Sequence, residues 1–283
     1  AQFQVRFSHW LKAVYLKNAK YVPRSEAPSG TTGGKHVYID RVEWNLALRD
    51  AQAQVNALKN GEVDIVEALG FDHYETVKAD TTLQLAPYAN LGLQYMARFN
   101  HLHKPFDDAK VRQAAIAAFS QEPFLRAQVG VKELYKTCPS MFICGTPYGS
   151  VAGSDLQAKS NMKKAQDLLK ASGYDGTPDL ASIQKLPDVA AQLLRQAGFK
   201  VDLQAMDWQT LVGRRAKKDA PDKGGWHMFL TAWNVFDVWS PIANPTMDTR
   251  GEKSGWFGWA SDDKMIEIRR AFMRATDEPT KQK

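Results

Sequence analysis

From residue 93 onward hydrophobic and polar positions alternate, with Leu93, Tyr95, Ala97 and Phe99 on one side and Gln94, Met96 and Arg98 on the other. A period of two predicts a strand with one buried face. Residues 100–105 break the pattern. Asp107 and Asp108 follow, and either side chain suits the free N–H groups of a first helical turn. Val111, Ala114, Ala115 and Ala118 then fall at i, i+3, i+4 and i+7, with Lys110, Arg112 and Gln113 opposite them. The centre of the chain therefore reads as a strand feeding a buried, closely packed helix. Asn100 is expected to tie down the bend between them, and Tyr95 to belong to the core.

The flanking patterns are shorter. Upstream, strands are expected at 13–16, 37–44, 63–66, 83–86 and 91–99. A Pro/Ser/Thr/Gly loop at 23–34 and helices at 51–59 and 72–79 are interleaved with them. Asp50 is the cap of the first of those helices, and Asn60-Gly61 its end. Downstream, helices are expected at 123–129, 162–171 (closed by Gly173), 187–197 (Pro in its first turn, Gly198 as terminator), 208–218 and 261–275. Phe199, Val201, Leu203 and Ala205 alternate with polar residues and predict a half-buried strand, and 226–233 predicts another. The tail DEPTKQK reads as polar and abrupt. Helices interleaved with short strands make an α/β chain.

At 283 residues, 44% hydrophobic and 24% charged, the chain has the composition of a soluble protein with more than one domain. No apolar run reaches the roughly 18 residues of a membrane span. The first residues lack the basic-then-apolar pattern of an unprocessed signal peptide, so a mature or trimmed product is expected. The net charge of +6 and pI near 9.1 bring a nucleic-acid-binding module into consideration. The basic residues are dispersed, however, and the one dense run, Arg214 to Lys218, reads as a solvated helix end. No nucleophile-elbow, zinc-protease or phosphate-loop motif is present, so neither an enzyme nor a cofactor is expected.

Cys138 and Cys144 are the two cysteines, in a turn-rich loop. Two ligands do not complete a structural zinc site, and the spacing is not that of a redox CxxC motif. A disulfide is favoured over two unpaired buried thiols. It would restrain the unfolded chain by roughly 2 kcal/mol and persist in an oxidising compartment.

The stretch 231–248 is richest in candidate chemistry. It leaves a strand and carries Trp233, Asn234, Asp237 and Trp239 before Pro241 and Pro245. Indoles offer a flat apolar surface with one N–H donor, and a carboxylate neutralises an ammonium group. The alternatives are core packing for Trp233 and a helix cap or turn for Asp237. Arg98 suits a ligand carboxylate in fork geometry, or simply faces solvent. His101 and His103 form an H-x-H pair that reads as exposed loop rather than metal site. Trp256-Phe257-Gly258-Trp259 either walls a cavity or packs a lobe.

Phe99-Asn100, Pro105-Phe106-Asp107-Asp108 and Val111-Arg112-Gln113-Ala114, with the upstream Asn60-Gly61-Glu62-Val63-Asp64-Ile65, resemble the pattern of family 5 extracellular solute-binding proteins. These are the peptide-, nickel- and oligosaccharide-binding components of ABC importers. The resemblance covers Tyr15 to Thr276. It implies an α/β, periplasmic-binding-protein-like two-lobed fold of class II, peptide-binding type, incomplete at its N-terminal side. Residues 1–98 would be part of the first lobe, 99–230 the C-terminal lobe, and 231–283 a hinge-side return segment with the final helix. The implied function is capture of a small solute by hinge closure and delivery to an inner-membrane ABC permease. A periplasmic or lipid-anchored monomer is implied, without nucleic acid. Peptides or amino-acid-derived compounds are the first ligand class, sugars the second, nickel chelates the third. In peptide binders of the family an acidic residue near Asp237 holds the peptide N-terminus. Here its spacing from Trp233 differs, and Ser240-Pro241 replaces the usual Asp-Pro. A strand that follows the Tyr174-Asp175-Gly176 turn in the family has no room beside Pro178.

Overall fold

The computed structural model describes residues 3–7, 11–29, 32–86, 91–156, 160–176 and 186–282. The chain divides into two compact units, Ala1–Ala86 and Pro87–Lys283.

In the first unit β1 (Phe3–Phe7), β2 (Lys12–Lys17) and β3 (Arg41–Asn45) form an antiparallel sheet in the order β1-β2-β3. Ala13 and Val14 of the central strand are buried. Helix α1 (Ala51–Lys59) starts where the Asp50 carboxylate accepts the Ala53 N–H at 2.8 Å, and it buries Val55 and Ala57. A one-turn 3-10 segment, Phe71–His73, leads into α2 (Tyr74–Lys78). The strands expected at 63–66 and 83–86 do not form. Ile65 is 77% exposed, so its apolar run has no sheet to join. Before Leu83, the Asp80 side chain accepts from both the N–H and the hydroxyl of Thr82, a local turn that competes with extension.

The second unit is built on an antiparallel ribbon of β4 (Leu93–Phe99) and β5 (Met228–Asn234). Its helices are α3 (Ala109–Ala118), α4 (Gln121–Gln128), α5 (Met162–Ala171), α6 (Leu186–Gln196), α7 (Trp208–Arg215), α8 (Val235–Val238), α9 (Asp263–Arg274) and α10 (Glu278–Gln282). The register pairs Leu93 with Asn234 and Phe99 with Met228. Directly paired residues share a face. Tyr95, Ala97 and Phe99 therefore lie with Leu230 and Met228, and Gln94 and Arg98 lie with Trp233 and Phe229.

The first of these faces packs on α3, α5 and α6. Alanines 114, 115 and 118 are fully buried, and their small side chains let α3 lie close to its neighbours. Asp108 caps α3, accepting the Lys110 N–H at 2.6 Å. Phe106, also fully buried, sits 4.6 Å from the Phe99 ring and 6.3 Å from that of Phe199. The second face carries a smaller cluster of Leu211, Trp226, Phe229 and Trp259, with Trp256 and Phe257 against it. Asn100 joins the bend to β5, donating from its side chain to the Trp226 carbonyl at 2.8 Å and from its N–H to the His227 carbonyl at 2.7 Å.

The alternation at 199–205 gives a single bridge residue at Val201 instead of a strand. Its apolar side is pressed onto the core through Phe199, 5.4 Å from Tyr174, so the alternation reports one-sided burial, with pairing confined to Val201 among the described residues. The polar tail is helical over Glu278–Gln282, where Asp277 caps α10 by accepting the Thr280 N–H at 2.9 Å. The strand expected to be missing beside Pro178 falls outside the described residues. Among the described residues no helix is long and apolar enough to cross a membrane.

Candidate functional site

A cavity of about 420 Å³ lies beside β4, and all of Leu93 to Phe99 line it. Leu230 of β5, the strand partner of β4, and Leu186 of α6 line it too. One wall is apolar, from Ile116, Phe119, Phe124 and Leu125 around the α3–α4 junction. The opposite side brings Gln94, Arg98 and Thr246, and a third comes from the loop holding Lys136, Cys138, Ser140, Met141 and Ile143.

That loop is closed by the Cys138–Cys144 disulfide. It is docked by a reciprocal pair in which Gln121 Nε2 donates to the Cys138 carbonyl (2.8 Å) and the Cys138 N–H donates to Gln121 Oε1 (2.6 Å). Gln94 Nε2 donates to the Met141 carbonyl at 3.0 Å, tying the loop to β4.

Arg98 and Lys136 are the cations of the cavity lining, and Arg98 is the buried one. Its Nε donates to the Phe257 carbonyl at 2.6 Å and Nη1 to the Thr246 carbonyl at 2.9 Å, while the guanidinium lies 5.2 Å from the Trp256 ring. Gly258 makes this approach possible. A Cβ there, at φ +94°, would stand 2.4 Å from the Phe99 carbonyl and 2.7 Å from Arg98 Nε. Burial pulls the Arg98 pKa down to about 10, with Asp248 acting the other way, so it stays charged at neutral pH. The remaining nitrogen, Nη2, is buried without a partner among the described residues, as is the acceptor Oε1 of Gln94. Trp233 Nε1 and His227 Nδ1 are buried and unmatched too. In the β4–β5 register, continued by one residue to His227, all four project on the same face.

The candidate residues divide accordingly. Arg98, for which solvent exposure was one expectation, is half-buried and clamped. Trp233 shares its face and packs 5.7 Å from Trp256, but it lies outside the described lining of the cavity. Asn234, Asp237 and Trp239 lie at the far end of β5, outside the described lining of the cavity. Asn234 caps α8, accepting the Phe236 N–H at 3.1 Å; Asp237 is exposed; Trp239 packs 5.7 Å from Tyr148. His101 and His103 are half-buried instead of exposed. His103 Nε2 contacts the Lys218 carbonyl at 2.8 Å, and burial, aided by Arg112 and Arg98, lowers the His101 pKa to about 3. Among the described residues no group of His, Cys, Asp or Glu could hold a metal ion. Sequence reasoning passed over Gln94 and left Trp256 undecided. The polar side of the β4 alternation was the only signal for Gln94.

The model of bacterial extracellular solute-binding proteins, family 5 Middle, matches residues 5–255. The chain belongs to this family. It is 34% identical over 270 residues to a probable peptide ABC transporter periplasmic-binding protein, y4tO, of Sinorhizobium fredii, covering 90% of this chain and 50% of that protein. The fold matches the periplasmic binding protein DppA of Helicobacter pylori in complex with the peptide STSA, with a TM-score of 0.76 at 17% identity, over 99% of this chain and 53% of that one. It also matches a dipeptide-binding protein of Pseudoalteromonas in complex with Met-Leu, with a TM-score of 0.74 at 15% identity, over 99% and 54%. The fold is thus the α/β fold of the family 5 binding proteins. The chain spans about half the length of the curated relatives it matches.

Proposed function

We propose that this chain is part of the substrate-binding component of an ABC importer, and that it captures a peptide or amino-acid-derived solute for delivery to a membrane permease. The observation that carries the reading is the cavity beside β4, a solute-sized slot with an apolar wall and the polar residues Gln94, Arg98 and Lys136 in its lining. Such sites bind through apolar contact and select through a few placed polar groups. The peptide-transporter relative supports the ligand class. The disulfide supports an oxidising, extracytoplasmic location. Arg98 and Trp233 would contact the ligand. Asp237, with Asn234 and Trp239, would act from the end of β5 that pairs with Leu93. The lobe boundaries at 98/99 and 230/231 belong to this proposal. They fall at the ends of β4 and within β5, as suits strands near a hinge.

Native mass spectrometry of the chain purified without refolding, followed by calorimetry, tests the reading. Short peptides are expected to bind intact. Binding of an oligosaccharide or a nickel–histidine complex without any peptide binding would replace this reading, and turnover of a bound peptide would make the chain an enzyme.

A further inference from the structure

We propose that the cavity beside β4 selects a peptide with an acidic side chain, and that Lys136 is the residue that makes the selection. This rests on the peptide reading above and adds the charge class of the ligand.

The sign of the lining comes first. Among the described residues that line the cavity two are cationic, Arg98 and Lys136, and none is an aspartate or a glutamate. A cleft with charge of one sign and apolar walls concentrates its field on whatever enters. Ile116, Phe119, Phe124 and Leu125 supply such a wall here. A carboxylate side chain is therefore attracted, whereas a lysine side chain meets two like charges.

The two cations act differently. Arg98 is held by the Phe257 and Thr246 carbonyls, which are neutral, so its charge is solvated without being cancelled. Asp248, the carboxylate whose charge reaches it, is paired with Arg250 at 2.6 Å and lies 3.8 Å from Arg269. Arg98 thus gives the cavity a fixed positive background.

Lys136 is exposed, and among the described residues it has no ion pair or hydrogen bond. Lys132, one helical turn earlier in sequence, shows the contrast. Its Nζ lies 3.2 Å from Glu122 Oε1, which also accepts the Tyr135 hydroxyl at 2.8 Å. The acid that opens α4 is therefore engaged by Lys132 and Tyr135 and not by the lysine that lines the cavity. Two residues beyond Lys136, Cys138 is fixed to Gln121 through both its N–H and its carbonyl. The rim that carries Lys136 is anchored, and its ammonium group is left for a ligand.

The test uses the full 283-residue chain and tri-alanine peptides in which Glu, Gln or Lys replaces each residue in turn, titrated calorimetrically at low salt. Glu and Gln are nearly the same shape, so their ratio reads charge. At one position or more the Glu peptide is expected to bind about fivefold tighter than its Gln counterpart, the upper end for a pair with one exposed partner. The Lys peptide is expected to bind more weakly than either, and the preference to shrink as salt rises. Lys136→Gln is expected to bring the Glu-to-Gln ratio close to one, and Lys136→Arg to retain it. Equal binding of Glu and Gln peptides at every position, or a preference undiminished in Lys136→Gln, overturns this selection and leaves the peptide reading standing. Failure of every peptide to bind overturns the peptide reading itself.

Discussion

The two faces of the β4–β5 ribbon use burial in opposite ways. On one face Phe99, Met228 and Leu230 meet the alanines of α3 and the leucines of α5 and α6, so what is buried is carbon. On the other, Arg98 and Trp233 lie against Trp256, and Arg98, Gln94, Trp233 and His227 each retain a buried polar atom without a partner among the described residues. An unmatched buried polar group costs about 1–3 kcal/mol, so a protein keeps few of them without cause. The carbon face sets where the ribbon sits. On the proposed reading, stability and ligand binding draw on different faces of a single pair of strands.

The largest expected effect lies on the carbon face. Phe106→Ala removes a fully buried ring that joins Phe99 to Phe199. It is expected to destabilise the fold by about 3–5 kcal/mol, through lost transfer energy and the cavity left behind. Denaturant titration gives the value. A loss below about 1 kcal/mol would mean that this face is not the principal core.

A smaller effect should come from acid. Burial, and then the nearby charge of His103, pushes the His227 pKa down to about 4 from an ordinary value near 6.5. The unfolded chain thus takes up a proton below about pH 6.5 that the folded chain refuses until about pH 4. Stability on this account is complete above pH 6.5 and falls as pH drops toward 4. For a residue only 6% exposed the loss is on the order of 2 kcal/mol. His227→Gln is expected to flatten the pH dependence of the unfolding midpoint across that window. An unchanged slope would place the acid sensitivity elsewhere, with His101 next, since its pKa is lowered to about 3 by the same cause.

The carbon face was the legible one. Strict alternation at 93–99 and the alanine stripe of α3 define their elements because burial and secondary-structure period coincide there. Where pairing was confined to one residue, as at Val201, the same alternation misled. Where a short apolar run lacked a neighbour, as at 63–66, it misled again. The candidate site was legible in part. Arg98 and Trp233 stood out by residue type, but the slot is made by six stretches far apart in sequence, and no local pattern reports a space enclosed between them. Gln94 is an ordinary polar residue until the Met141 carbonyl takes its amide N–H and leaves its oxygen unmatched.

The smallest effect is expected at Asp237, and it sharpens the contrast between groups that touch the ligand and groups that act through their field. Asp237 is exposed on the single turn of α8, just past Asn234, which pairs with Leu93. An exposed charge acting through solvent is screened by salt and worth little. Asp237→Asn should change folding stability by less than about 0.5 kcal/mol. It should weaken a short peptide with a free N-terminus by no more than about threefold, an effect that fades as ionic strength rises and is absent once that terminus is acetylated. Calorimetry at two salt concentrations reads all three features. A loss above tenfold that persists in salt would make Asp237 the direct partner of the ammonium group. No change for either peptide would remove Asp237 from the site.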